Sequence, residues 1–390
     1  MLKRILAVVA GFVVAVAVFA ADVVLRDDHP DIYVVQKGDT LWDISARFLK
    51  APWLWPEIWQ ANPQVENPHL IYPGDRLTLV YQDGRPVVRQ DDFGPRVRRE
   101  KLEEAITTVA LSDVQAFLEK PRILDISEID GMPYVVALEE NRLRSTTGQI
   151  AYVRGLDVAP GTTVFILRPT FAYYDVSRPD DDRREQRRPN RTREWNSTRG
   201  RYEPRLWDES VMEGWRRRKG EYLGHEVLEV GVGEVLRGGD PHTVLVQYGD
   251  FEIKKGDLVS LTPPDPFDLT FYPRASDSIP ENMRVLSFTD ALAVVGPKQV
   301  VALNKGAREG VENGHVYAIF QPGAFIRDEV KHPVGEYEGV FRRRHGEVEL
   351  PEEFVGHVMV FRTFDKVSYG LVMDGIRPVH LNDVLRPPVY

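Results

Sequence analysis

The stretch from Tyr33 to Leu79 constrains this 390-residue chain more than any other, because its turns, caps and apolar stripes all point to one small α+β module. Tyr33-Val34-Val35 is rich in β-formers and stops at Gly38, which supplies a turn. Asp39 or Thr40 then caps a helix in which Leu41, Ile44 and Phe48 share an apolar face. A second short helix is expected from about Pro56, a favoured first-turn residue, burying Ile58 and one tryptophan, and Asn62-Pro63 ends it. After a Pro73-Gly74-Asp75 turn, Leu77, Leu79 and Val80 return as a second strand. A module of roughly 50 residues buries little surface, so Trp53, Trp55 and Trp59 must supply much of its core.

These residues resemble a LysM module, a βααβ domain that binds the sugar backbone of peptidoglycan or chitin. The blocks that carry the resemblance are Tyr33-Val34-Val35 with Lys37-Gly38-Asp39-Thr40-Leu41, then Trp59-Gln60-Ala61-Asn62, then Ile71-Tyr72-Pro73-Gly74-Asp75-Arg76-Leu77. The resemblance implies a shallow sugar groove with Gly38, Asp39, Thr40 and Leu41 on one side and Asn67, Pro68, His69, Leu70 and Ile71 on the other. Backbone amides and carbonyls there suit N-acetyl groups. Gly38-Asp39-Thr40 is also an ordinary turn and helix cap, and sugar contact would be added to that role. At helical spacing the three tryptophans read as core rather than as a sugar platform.

At the N-terminus, Met1-Leu2-Lys3-Arg4 precedes an apolar run from Ile5 to Phe19. With small residues at Val18-Phe19-Ala20, or at Ala15-Val16-Ala17, residues 1–20 read as a secretory signal, the other reading being an uncleaved anchor. The expected location is therefore the periplasm, near wall and outer membrane. The chain has no cysteine, which excludes disulfides, thiolate metal sites, cysteine nucleophiles and a lipid anchor on a cysteine. The net charge of −9 argues against a nucleic-acid partner.

Beyond the module (33–81), Gln82 to Arg99 is polar and turn-rich and reads as a linker, followed by helices over Glu100–Ala110 and Ser112–Lys120. From Pro121 the pattern turns to short strands. Two similar β-rich units are expected, 121–264 and 283–390. Pro121–Ser127 and Tyr134–Glu140 compare with Met283–Thr289 and Gln299–Lys305, and Ala159–Pro169 compares with Glu312–Pro322. Leu223-Gly224-His225 compares with Val355-Gly356-His357, and Glu252–Val259 compares with Pro378–Leu385. The fold class is thus α+β, a βααβ module followed by a β-rich region of two units. The recurring Gly-Asp and Asn-Asp pairs read as turn chemistry. His225 and His357 read as turn histidines, because no further ligands converge on them.

The first unit carries an insert, residues 177–220, with 14 basic and 9 acidic residues. It is too poor in aliphatics for a core and reads as a mobile excursion. It is either a solvated loop or an arginine- and tryptophan-bearing arm for an acidic protein surface. Acidic residues are plentiful but sit in turns and charged loops such as Asp180-Asp181-Asp182 and Glu139-Glu140. No HExxH pair, cysteine nucleophile or Gly-x-Ser-x-Gly elbow appears, so unless distant carboxylates meet in the fold, no catalytic residue, metal or cofactor is expected.

Over nearly its full length the chain resembles the TsaP family, LysM proteins associated with type IV pilus secretins. Pro52–Trp59, Leu111–Leu118, Pro133–Leu138, Phe364–Val372 and Leu381–Pro388 carry this resemblance. It implies a C-terminal region similar to the flagellar ring protein FlgT. It also implies two partners, N-acetylglucosamine-containing peptidoglycan and an outer-membrane secretin ring. The alternative is an accessory factor of a peptidoglycan hydrolase, or a flagellar or secretion ring component.

Overall fold

The computed structural model describes residues 23–59, 71–82, 85–90, 121–175, 191–196, 201–203, 221–263, 272–276, 279–288, 294–328, 330 and 347–388. The signal segment, both expected helices between 100 and 120 and most of the insert lie outside the described residues.

The N-terminal module contains β1 (Ile32–Val34), α1 (Leu41–Phe48), a 3-10 turn at Pro52–Leu54, α2 (Trp55–Trp59), β2 (Arg76–Gln82) and β3 (Arg85–Gln90). Thr40 settles the cap of α1, its Oγ1 accepting from Asp43 N at 3.1 Å. Leu41, Ile44 and Phe48 go into the core as expected, joined by Trp42. The second helix buries Ile58 and both of its tryptophans, Trp55 and Trp59, rather than one, and the 3-10 turn before it buries Trp53. β1 runs antiparallel to β2 with Tyr33 opposite Leu77. β3 is a correction, because the polar stretch after Gln82 was expected to be linker. It pairs with β2 from Gln82↔Arg85 to Leu77↔Gln90 and buries Val87 and Val88. Asp83-Gly84 is a hairpin signal in the sequence, masked there by its charged surroundings.

Six strands form a closed antiparallel barrel next: β4 (Tyr134–Leu138), β5 (Ile150–Arg154), β6 (Thr163–Asp175), β7 (Glu221–Arg237), β8 (His242–Tyr248) and β9 (Leu258–Ser260). Neighbours run β6-β9-β4-β5-β8-β7, and β7 closes on β6. Val135, Val153, Ile166, Val235, Val244 and Val259 fill the interior. Closure leaves no free edge around the ring. β5 alternates inward and outward, the signature of a sheet with one solvated face, while a bulge between Val135 and Ala137 breaks the alternation of β4. β6 and β7 run on past the barrel as a long ribbon, to the pair Asp175↔Glu221. The insert was expected to be a mobile excursion, yet Arg191–Asn196 adds to the β6 side of this ribbon as a strand, with Arg201–Glu203 beyond it.

A second ring follows: β10 (Val285–Phe288), β11 (Val300–Leu303), β12 (His315–Gln321), β13 (Glu353–Thr363), β14 (Ser368–Gly375) and β15 (Val384–Arg386). Neighbours run β10-β11-β14-β13-β12-β15. Bonds from Leu385 N to Met283 O and from Val285 N to Asp383 O, both 3.0 Å, bring β15 back against β10. Here β10 and β11 are buried at all four positions. Val285, Val301, Leu303, Tyr317 and Ile319 face inward. Leu286, Val300, Met359, Phe361 and Leu371 face outward into a core shared with α1, the tryptophans, and Tyr173 and Leu223 of the ribbon. A strand covered on both faces loses its alternation, and this is why sequence periodicity could not show which side faced the module.

Four turns share one geometry: Gln36–Asp39, Tyr72–Asp75, Lys254–Asp257 and His380–Asp383. In each, the aspartate accepts from the backbone N–H three residues back, at 2.8, 2.8, 2.7 and 2.7 Å respectively. The residue before the aspartate has positive φ, from 69° at Asn382 to 92° at Gly38, which favours glycine or asparagine. The expected turn chemistry is what these pairs perform.

Candidate functional site

Backbone bonds from Val35 N to Asp75 O (2.9 Å) and from Gly74 N to Val35 O (2.8 Å) set two of these turns side by side at one end of the module. The turn after β1 thereby meets the turn before β2. Of the residues expected on the first side, Gly38 is exposed, and Asp39 is half-buried. The Asp39 carboxylate takes hydrogen bonds from Tyr33 OH and from Gln36 N, both 2.8 Å. Thr40 is buried, with Oγ1 accepting from Asp43 N and donating to Asp43 Oδ2. The Leu41 side chain is in the core, so Leu41 can offer a ligand only its backbone. On the other side Ile71 is fully buried, and Asn67, Pro68, His69 and Leu70 lie outside the described residues.

Residue reasoning left out several groups at this end. Tyr33 orients Asp39, and Arg47 lies over the Tyr33 ring, 4.9 Å from its centroid. Burial, then the hydrogen bond to Asp39, pushes the Tyr33 hydroxyl above the usual tyrosine range, so it stays a donor at neutral pH. Gln36 and Lys37 are exposed on the same turn. Tyr33 and Asp39 are six apart across a turn, a spacing that no helical or strand periodicity marks. The described part of the surface has polar donors and backbone groups, which suits hydrogen-bonded recognition of a polar ligand. Among the described residues no group of three or more His, Asp or Glu could hold a metal ion.

The LysM domain family matches residues 33–80. This segment is a LysM domain. LysM domains bind the N-acetylglucosamine backbone of peptidoglycan, and the domain itself is a binding unit rather than a catalytic one. The chain is also 35% identical over 60 residues to the uncharacterized protein YqbP of Bacillus subtilis (strain 168), covering 13% of this chain and 27% of that protein. The chain thus spans about a quarter of that relative's length.

The two singled-out histidines are buried within strands β7 and β13, not in turns as expected. Burial lowers the His225 pKa to about 4, so this ring is neutral. The His357 Nδ1 lies 2.9 Å from Asp374 Oδ1, and its ring packs against Trp53 at 4.8 Å between centroids. Trp53, Trp55 and Trp59 are core residues, as expected, at 0%, 1% and 6% exposure.

Proposed function

We propose that this chain is a non-catalytic peptidoglycan-binding protein of the periplasm that anchors an outer-membrane secretin to the cell wall. The observation that carries the binding half is the LysM domain, with the turn ending in Asp39 open at its tip and braced by Tyr33. The anchoring half is supported by the residues that resemble the TsaP family and by the two β barrels beside the domain. One shallow groove binds glycan weakly. A ring of copies around one channel raises avidity by roughly 10² to 10⁴ without any new contact.

We further infer that the two barrels are copies of one unit. In support, their strands follow the same cyclic order, β4 to β9 answering β10 to β15. Val135 and Val285 exchange the same backbone bonds with the turns ending in Asp257 and Asp383. Gly148 N bonds Val246 O as Lys298 N bonds Val372 O. A Cβ at Gly231 or Gly356 would strike a backbone oxygen of the following strand, that of Tyr248 or Asp374, at 2.8 and 2.1 Å. These bonds favour a register shifted from the one read in the sequence. Pro133–Leu138 answers Met283–Phe288, and Gln149–Val153 answers Gln299–Leu303. Gly231, not Gly224, answers Gly356, so His225 and His357 are not equivalent.

The test is co-sedimentation of the whole protein with purified sacculi, alone and with detergent-solubilised secretin. The comparison protein is Gln36→Ala/Lys37→Glu, which alters the exposed turn without touching the core. The proposal expects secretin in the pellet only with the unaltered chain. A pellet containing the protein without secretin would leave wall binding standing and remove the anchoring.

A further inference from the structure

We propose that Trp53 and Trp55 form an anchor locking the LysM domain onto the second barrel, so that glycan held by the domain also stabilises the barrel. The glycan clause rests on the binding reading above; the lock does not.

Each indole spans the boundary. The Trp53 ring lies between Trp42 of α1, at 6.3 Å, and His357 of β13, at 4.8 Å. The Trp55 ring lies 5.8 Å from Tyr272, just before the strand Arg274–Ala275 that pairs with β12. Both indoles are essentially inaccessible. The platform they meet is held from behind, since Phe354 packs on the His357 ring at 5.1 Å and Asp374 fixes Nδ1. Around it Leu286, Val300, Met359, Phe361 and Leu371 merge with the domain's own core into one continuous apolar cluster.

A domain this small cannot bury three tryptophans and two helix faces well alone. The barrel is equally incomplete, since parting the two would wet the His357 face of β13 and the Tyr272 ring, on which the two indoles pack. Each partner therefore covers apolar surface that the other exposes on separation, and the two should open together. The lock leaves the binding end free, because Gln36, Lys37 and Gly38 stay exposed. Any ligand that binds only the folded domain then stabilises everything folding with it. Tension on a glycan would pass through packed aromatic rings into the barrel instead of through a loose tether.

The experiment is thermal unfolding of the full chain by calorimetry, with and without chitotetraose. The comparison variants are Tyr272→Ser and His357→Ala, both on the barrel side of the contact. Tyr272 is 44% exposed, so its replacement leaves the barrel able to fold. The unaltered chain should place domain and second barrel in a single transition that chitotetraose raises as a whole. Either variant should split that transition in two, with sugar raising only the one that carries the tryptophan fluorescence change. Two transitions in the unaltered chain, or an unsplit transition in Tyr272→Ser, would overturn the lock. If chitotetraose moves nothing, the sugar reading fails, while the number of transitions without sugar still decides the lock.

Discussion

Arg168 donates to both oxygens of the buried Asp257 carboxylate, Nε to Oδ1 at 2.9 Å and Nη2 to Oδ2 at 2.7 Å. Asp257 ends its turn 1% exposed, and Arg168 reaches it from β6. Burial raises the Asp257 pKa while the hydrogen bonds from Arg168 oppose the rise. Arg168→Ala leaves an uncompensated buried charge, and the expected loss of stability is about 3–5 kcal/mol. Urea unfolding measures it, and Asp257→Asn in the same background should recover part of the loss.

Among the described residues, no arginine bonds the Asp383 carboxylate, which ends the corresponding turn in the proposed alignment. In the proposed alignment Gln321 stands where Arg168 does, and burial drives the Asp383 pKa up to about 6, against hydrogen bonding and charge at His380. A carboxylate whose pKa is raised on folding contributes most stability below its unfolded value. That contribution is lost as pH rises through about 6. Stability should therefore fall by about 1–2 kcal/mol from this group between pH 4 and pH 7, allowing for relaxation and water entry around the charged form. The difference between the stability-versus-pH curves of wild type and Asp383→Asn isolates it. Parallel curves would refute the assignment.

Glu226 ties the ribbon to the second barrel. Its Oε2 accepts from Tyr173 OH at 2.5 Å and from Tyr369 OH at 2.7 Å, and its Oε1 from Thr170 at 2.7 Å. Burial, reinforced by the Glu226 charge, keeps both hydroxyls far above the ordinary tyrosine range, so both remain donors. Tyr369→Phe should cost about 1–3 kcal/mol. In a double-mutant cycle with Glu226→Gln the two losses should be non-additive by about 0.5–3 kcal/mol. Additive losses would separate ribbon from barrel energetically.

Thr40 and Ile71 were both expected in the sugar groove, and their burial gives each a structural role. Thr40→Ala removes the α1 cap and should cost about 1 kcal/mol. Ile71→Asp places a charge in the domain core and should unfold the domain rather than blunt its groove. Gln36→Ala/Lys37→Glu should instead weaken sacculus binding with unchanged far-ultraviolet circular dichroism. Retained binding in that variant would move the groove elsewhere.

The LysM segment was legible in the sequence because its signals are local. A cap lies next to its helix, a Gly-Asp pair within its own turn, and an apolar stripe within one helix. The same locality made all four aspartate turns readable, and the β-rich character of the rest. Local signals also misled where neighbours decided the outcome. β3 read as linker from its polar, turn-rich composition, although it pairs with β2. His225 and His357 read as turn histidines because each follows glycine, whereas both are buried within strands.

What the amino-acid order determined by itself was the identity of the module, its caps and turns, and a chain of short strands after it. Only the tertiary structure decided that those strands close into two rings, that the ribbon reaches the second ring through Glu226, and that Trp53 and Trp55 face a barrel as well as their own domain. The reason is one of range. Trp53 and His357 meet across the fold, with 303 residue positions between them in number, and no periodicity shorter than that separation can encode the contact.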